Sequence, residues 1–540
     1  MKLTRVRIIK ASTCGGLLDG LDISLRGTQN GPEPFNPLCL VGPNGAGKSQ
    51  FLQVVAEAFQ TVFHACVPNE ERAKGNEDLQ FEIEYVLRPK GTSAPLFVRL
   101  SRRSEGKRRP VLKVERKDGL EWVECSLEEP ATHELLPSRV VGYTSGDNET
   151  LSLPFLVSRS GYADAVGKRA LSNDSIENSQ PIADTRLMLV DYGTHLEVLA
   201  ANLLLGSAQE RSALLQDAKL SDLHSFRCVI QLAHRAVPKL SARESATRKR
   251  KGVQLTDELE RYIDQLRRCS TCHAYDEKTE TYVFDFLLTD ETRMAFLSFW
   301  ASTLELYSAL HKLAMLNDLA IPKVTRERLL RDIKTRRFAS RLPEPQDEDR
   351  VFRFEQVRFT PKFGQGVVDY VSLSDGEHQL AQILGTMCMA SFPNVLFLFD
   401  EPESHFNPQW RVKFISRLMD LPTASGKRGE AGSGAAQQDC LLTTHSPFVP
   451  SDMPRTNVLI FKKGDSKVEV RRPDIETFGT TFDAILGECF DVRPPMSELP
   501  RREIKELMAS EDAEAIKDGI EKLGDSVEKV FLMDHLRQIS

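Results

Sequence analysis

The chain has 540 residues, of which 41% are hydrophobic and 27% charged, and a net charge of −6. That length is too great for one compact core, and that charge excludes a protein that coats nucleic acid indiscriminately. No apolar run is long enough to cross a bilayer, and the ten scattered cysteines suit a reducing cytoplasm, where free thiols act as small core residues.

The N-terminus, MKLTRVRIIKAS, reads as a charged strand and not as a signal peptide. Residues 1–164 are expected to be β-rich. LCLVG is a short apolar strand that runs into a Gly-rich loop. The helix after that loop places Leu52, Val55, Phe59 and Val62 on one face. DLQFEIEYVLRP and LFVRLSRRSEGKRRPVLKVERKDG alternate apolar and polar residues, as half-exposed strands do. From 165 to 345 the texture becomes mostly helical, with LEVLAANLLLGSAQERSALLQDA and MAFLSFWASTLELYSALHKLAMLNDLAIP as long helical patterns. Phe296, Trp300, Leu304 and Tyr307 form a stripe that reads as core packing. TYVFDFLL in this section is strand-like. Strand character returns over 346–495, in RVFRFEQVRF, NVLFLFDEPE, DCLLTTHSP and a hairpin in NVLIFKKGDSKVEVRRP. The Gly/Ala/Ser-rich tract ASGKRGEAGSGAAQQ should be a mobile surface loop. Residues 496–540 read as a charged helical tail.

GPNGAGKS, from Gly42 through Pro43, Asn44, Gly45, Ala46, Gly47 and Lys48 to Ser49, fits the phosphate-loop pattern in full and is followed by Gln50. Its glycines let backbone N–H groups turn toward phosphate oxygens, and the helix that starts here adds its positive end. Lys48 should reach the β- and γ-phosphates of ATP, and the Ser49 hydroxyl should ligate Mg2+. VLFLFDEPE is an apolar strand that ends in two acids. Asp400 is the candidate for holding Mg2+, and Glu401 for orienting and deprotonating the attacking water. LTTHSP places His445 just past another apolar strand, where it can sense the γ-phosphate. LSDGE reads as a helix start, with Ser374 as N-cap and Glu377 completing a capping box.

The order phosphate loop, insertion, LSDGE, Asp-Glu strand, His strand resembles soluble ABC-type ATPases of the SMC/RecF kind. That resemblance implies an α/β ATPase head built from two chain segments, 1–164 and 346–495, with a mixed sheet and a β-rich lobe. The mostly helical insertion and the helical tail complete it. It also implies that Ser374, Asp375, Gly376 and Glu377 of one subunit cover the γ-phosphate held by another, so that the working form is a homodimer or a higher even homo-oligomer. Asp375 stands where the family usually has a second small residue. The family's Gln between phosphate loop and signature has no counterpart in VVGYTSGDNETLSLPF, where Asn148 offers the same amide one methylene shorter.

VVGYTSGDNETLSLPF, MLVDYGTHLEVLAANLLL, RRCSTCHAYDEKTETYVFDF and the LSDGEHQLAQ and LFLFDEPESHFNPQWR stretches together look like the PtuA ATPase subunits of Septu and retron antiphage systems. They look equally like restriction system-associated ATPases. This resemblance implies a cytoplasmic ATPase that holds and controls a separate HNH-type, PtuB-like nuclease, and, in a retron setting, a reverse transcriptase with its noncoding RNA and DNA. No acidic cluster or HNH pattern in this chain could itself bind a catalytic metal for a nuclease. Two other readings are an SMC/RecF-like DNA-repair ATPase that acts on DNA directly, and an ATP-locked scaffold with little turnover. The basic runs RLSRRSEGKRRP, RESATRKRKG and KTRRFASRLP are candidates for nucleic-acid contact, and Cys269 and Cys272 read as structural thiols and not as half a zinc site. The tail is the candidate docking element for the partner.

Overall fold

The computed structural model describes every residue except 28–33, 89–94, 105, 107, 146–148, 171–180, 192, 234–249, 323, 326, 329–330, 333–349, 424–425, 431, 465–466, 494 and 540. Strands β1 (Lys2–Lys10) and β2 (Leu21–Ser24) join β4 (Gln80–Leu87), β5 (Leu96–Arg103), β6 (Val111–Asp118) and β7 (Glu121–Cys125) in one antiparallel sheet. Its order is β2-β1-β4-β5-β6-β7.

A second sheet holds β3 (Leu38–Val41), β8 (Arg139–Thr144), β9 (Leu187–Val190), β15 (Val395–Asp400), β18 (Asp439–Thr443), β19 (Val458–Lys463) and β20 (Val468–Arg471). Its order is β20-β19-β3-β18-β15-β8-β9, and only the β19–β20 edge pair is antiparallel. Every residue of β3, β15 and β18 is buried, as expected of parallel strands covered on both faces. Because side chains alternate along a strand, the sheet acts as a partition between two cores. Leu38, Leu40, Leu396, Leu398 and Leu441 face a core shared with Phe51, Leu52, Val55 and Phe59 of the helix Lys48–Cys66 and with the six-stranded sheet. Cys39, Val41, Phe397, Phe399, Cys440 and Leu442 face the opposite core, which includes Val198, Leu310 and Ile383.

The middle section contributes strands as well as helices. β9 extends the parallel sheet, and β10 (Leu220–Gln231), β11 (Cys272–Asp276) and β12 (Thr281–Leu287) pair with β13 (Phe352–Pro361) and β14 (Val368–Asp369) in the antiparallel order β11-β12-β10-β13-β14. The long apolar pattern near 294–322 is broken into helices Asp290–Leu297, Thr303–Ala314 and Asn317–Ala320. The break falls where the Ser302 hydroxyl accepts from the Glu305 N–H and starts a new helix. Phe296, Trp300 and Tyr307 are core residues, as their spacing suggests.

The Gly/Ala-rich tract is anchored in the described residues, contrary to the expectation of a mobile loop. β16 (Pro422–Thr423) and β17 (Gly426–Lys427) form a short hairpin, and Arg428 is fully buried behind it. Its guanidinium donates to Gln438 Oε1 and to the Met387 carbonyl at 2.6 Å, and its carbon lies 5.2 Å from the Phe35 ring centroid. One long cation supplies the anchor that the small residues around it lack.

Cys269 is buried, but Cys272 is exposed on the edge strand β11, so the pair is not two core thiols. Among the described residues no group of three His, Cys, Asp or Glu side chains is placed to hold a metal ion. In the first basic run Arg99 pairs bidentately with Glu115 at 2.7 Å, and Arg102 donates to two backbone carbonyls. Residues 234–249 and 333–349, which hold most of the other two runs, lie outside the described residues.

The tail forms helices Glu498–Met508, Ala513–Lys522 and Val527–Ile539, packed on a separate small core of Ile504, Ile516, Ile520 and Leu532. No helix among the described residues is long and apolar enough to cross a membrane.

Candidate nucleotide site

In a parallel sheet the carboxyl ends of neighbouring strands open at one edge, where ligands bind in open α/β folds. β3, β18 and β15 are neighbours, so the segments that leave them meet there: the phosphate loop after Val41, Thr444 and His445 after Thr443, and Glu401 after Asp400. The family resemblance implies one nucleotide site for these motifs, and the strand order places their ends side by side.

Gly42, Gly45 and Gly47 have φ of 132°, 75° and 94°, the left-handed region that glycine tolerates. At Gly42 space also forbids a side chain, because a Cβ would lie 2.1 Å from the Phe461 carbonyl oxygen of β19. Pro43, Asn44 and Gly45 form the exposed tip of the loop, while Ala46, Gly47 and Lys48 are buried and Ser49 and Gln50 half-buried. No side chain caps the helix that starts at Lys48, so its first turn is available to an oxyanion. Lys48 Nζ donates to the carbonyls of Gly42 at 2.9 Å and Pro43 at 3.2 Å, and burial lowers its pKa.

The Ser49 hydroxyl donates to Asp400 Oδ1 at 2.9 Å. A hydroxyl and a carboxylate side by side form a hard oxygen set of the kind Mg2+ accepts, so these residues fit that ion. Burial raises the pKa of Asp400, and the hydroxyls of Thr443 and Ser49 oppose that rise. Thr443 was not singled out from the sequence. It donates to the same Asp400 oxygen at 2.5 Å and accepts from the Glu401 N–H at 3.0 Å. Glu401 has φ of 48°, uncommon for a residue with a Cβ, and the Thr443 hydroxyl holds its N–H in that conformation. His445 Nε2 lies 3.2 Å from Glu401 Oε1, and this contact holds the Glu401 carboxyl below its usual range.

Glu403 was also missed. It is buried, accepts a hydrogen bond from the Thr444 hydroxyl, and is pushed by burial to about 7. The signal was in the sequence as a second Glu just beyond DE, and as hydroxyls directly before His445 in TTHS.

Ser374 and Asp375 are exposed. Ser374 caps the helix Asp375–Met389, and Glu377 returns the bond to the Ser374 N–H at 2.7 Å, so the predicted capping box is present. Gly376 packs under the segment after Glu401, and a Cβ there would lie 2.9 Å from the His405 carbonyl oxygen and 3.3 Å from the Trp410 ring. Among the described residues the side-chain hydrogen bonds of Ser374 and Glu377 are to one another. Asn148 lies outside the described residues.

Residues 289–452 match the family described as "AAA domain, putative AbiEii toxin, Type IV TA system". That span contains Ser374, Asp400, Glu401 and His445 but not the phosphate loop. Protein ea59 of Escherichia phage lambda is 25% identical over 172 residues, 32% of this chain and 31% of that protein. The match thus spans about a third of the length of that curated relative. Similar solved structures include the Smc head domain with an extended coiled coil, bound to the C-terminal domain of ScpA, from Pyrococcus furiosus. It has a TM-score of 0.31 and 10% identity, and covers 87% of this chain and 96% of that one. The SMC head domain from Thermotoga maritima has a TM-score of 0.32 and 10% identity, covering 88% and 100% respectively.

Proposed function

We propose that the chain is a Mg2+-dependent ATPase whose catalytic pocket is completed by a second copy of itself, and that it serves antiphage defence by holding a separate HNH-type nuclease. Its working place is the cytoplasm. The observation that carries the ATPase reading is the convergence of Lys48, Ser49, Asp400, Glu401 and His445 at one sheet edge, while Ser374 stands exposed on a separately capped helix.

In this reading the phosphate-loop amides and Lys48 bind the triphosphate. Ser49 and Asp400 are the residues that would hold Mg2+. The ion, when bound, neutralises charge on the β- and γ-phosphate oxygens. Glu401, kept ionised by its contact with His445, takes the proton of the attacking water. Ser374 and Gly376 of the partner copy close over the γ-phosphate. ATP then acts as an adhesive, since it contacts both copies only in the closed state and shifts the population toward closure. Val371, three residues before Ser374, is 87% exposed, which suits such an interface.

The defence reading rests on the PtuA-like stretches, and the toxin–antitoxin description of the matching family is consistent with it. The tail is the proposed nuclease dock. Its core is its own, and it leaves Leu499, Val527, Val530 and Phe531 exposed.

The decisive experiment is complementation. Lys48→Ala and Ser374→Arg proteins should each be inactive alone. Mixed, they should recover turnover, because one pairing joins an intact phosphate loop to an intact signature. Full-rate hydrolysis by a strictly monomeric protein, or a mixture that stays inactive, refutes composition in trans. Deleting residues 496–540 should release the nuclease and leave ATP binding intact.

A further inference from the structure

We propose that Gln379 is a positioning residue that ties the turnover pocket of a chain to that chain's own signature turn, and so makes two composite sites read each other. The inference rests on composition in trans as set out above.

Residues 401–406 form a compact turn. The Ser404 N–H donates to the Glu401 carbonyl at 3.2 Å, and the Phe406 N–H to the Glu403 carbonyl at 3.0 Å. One end of this turn belongs to the pocket, where Glu401 meets His445 and Thr443 and where Glu403 accepts from the Thr444 hydroxyl. The other end belongs to the signature helix. Gln379 Nε2 donates to Ser404 Oγ at 3.2 Å, and Gln379 Oε1 accepts from the His405 N–H at 3.1 Å. Gln379 is only 4% exposed, so both ends of its amide are committed to protein partners.

Gly376 lets the two segments pack closely: the His405 carbonyl oxygen lies 2.9 Å from where a Cβ would sit, so a displacement of residues 404–405 toward the first turn of the signature helix presses on it. A change of Glu401 or His445 that moves the 401–406 turn therefore moves Ser374. Ser374 in turn covers the nucleotide held by the partner copy. Gln379 touches no reacting atom, and its effect is on geometry at a distance.

The test is Gln379→Met, which keeps length and burial and removes the amide, in the full chain with ATP. Wild type should hydrolyse ATP cooperatively, with a Hill coefficient well above 1. The variant should bind ATP in its phosphate loop within about threefold of wild type, while cooperativity collapses to about 1 and kcat falls about tenfold. Ser404→Ala removes one bond from the other end and should move the same readouts in the same direction. The double variant should be no worse than the poorer single one, the mark of a shared contact. Unchanged cooperativity in both single variants overturns the role. So does a loss of ATP binding in parallel with melting temperature, because that is what a merely structural residue would give. Failure of trans composition itself is read separately, from the Lys48→Ala and Ser374→Arg mixture.

Discussion

Replacing Thr443 by Val tests the chemistry of the site most directly, because it removes one oxygen atom and little else. Thr443 is fully buried in β18, where a β-branched side chain fits the strand, so Val leaves almost no cavity. Two bonds are lost: the 2.5 Å bond to the Asp400 carboxylate and the 3.0 Å bond from the Glu401 N–H. A hydrogen bond to a charged group contributes roughly 1.5–3 kcal/mol. The strain at Glu401, whose φ is 48°, adds on the order of 1 kcal/mol once nothing holds its N–H. If about 2 kcal/mol of the sum is felt in the orientation of Glu401, turnover should fall about 30-fold, since 1.36 kcal/mol is tenfold. Nucleotide affinity should stay within about threefold, because the phosphate-loop amides and Lys48 are not touched. The assay pairs steady-state phosphate release with a fluorescent-nucleotide titration. Thr443→Ser, which keeps the hydroxyl, should restore turnover. Wild-type turnover in Thr443→Val, or affinity falling in step with rate, would refute the reasoning.

Three further outcomes are expected. Burial raises Glu71 to about 7 from an ordinary value of 4.5, so the folded state retains a proton that the unfolded state loses between those values. Stability should therefore fall by up to roughly 3 kcal/mol as pH rises through that window and level off above it. Glu71→Gln, with an amide oxygen able to accept from Ser158, should flatten that slope in melting scans from pH 5 to 8. Arg428→Met strips Gln438 Oε1 and the Met387 carbonyl of their donor and should cost about 3 kcal/mol in urea unfolding, with residues 426–438 becoming sensitive to protease. Gly42→Ala should abolish ATP binding, because its Cβ meets the Phe461 carbonyl. Gly45→Ala, with open space around it, should cost only about 1 kcal/mol in melting and keep binding.

The parts of the fold legible in the sequence are those encoded by neighbours. β3 and β15 are unbroken apolar runs, and the phosphate loop and the Asp400–Glu401 pair sit directly at their ends. The capping box of Ser374 and Glu377 is local by nature. What was not legible depends on distant partners. β9 is four apolar residues, too short to separate a strand from a helix turn, and it becomes a strand because β8 lies beside it. Arg428 in a run of small residues looks like surface until Phe35 and Gln438 are seen around it. Thr443 has no spacing signature of its own, because its partners Asp400 and Glu401 lie at the end of a neighbouring strand.

Gln379 shows the same limit at the level of mechanism. A buried Gln five positions into a helix has no spacing signature, and its partners Ser404 and His405 lie across a strand and a turn from it. Motifs report which atoms can touch a nucleotide, since a phosphate imposes the same donors wherever it binds. They do not report how one such site informs another, because that depends on which turn packs against which helix. Gly376 admits no side chain, Gln379 spends both ends of its amide, and Glu403, itself in the turn, is buried against Thr444. If the chain is the ATPase proposed above, these contacts on one six-residue turn link its pocket to its signature turn. Cooperative turnover is then the expected outcome, and two independent sites would mean that the turn does not transmit the change.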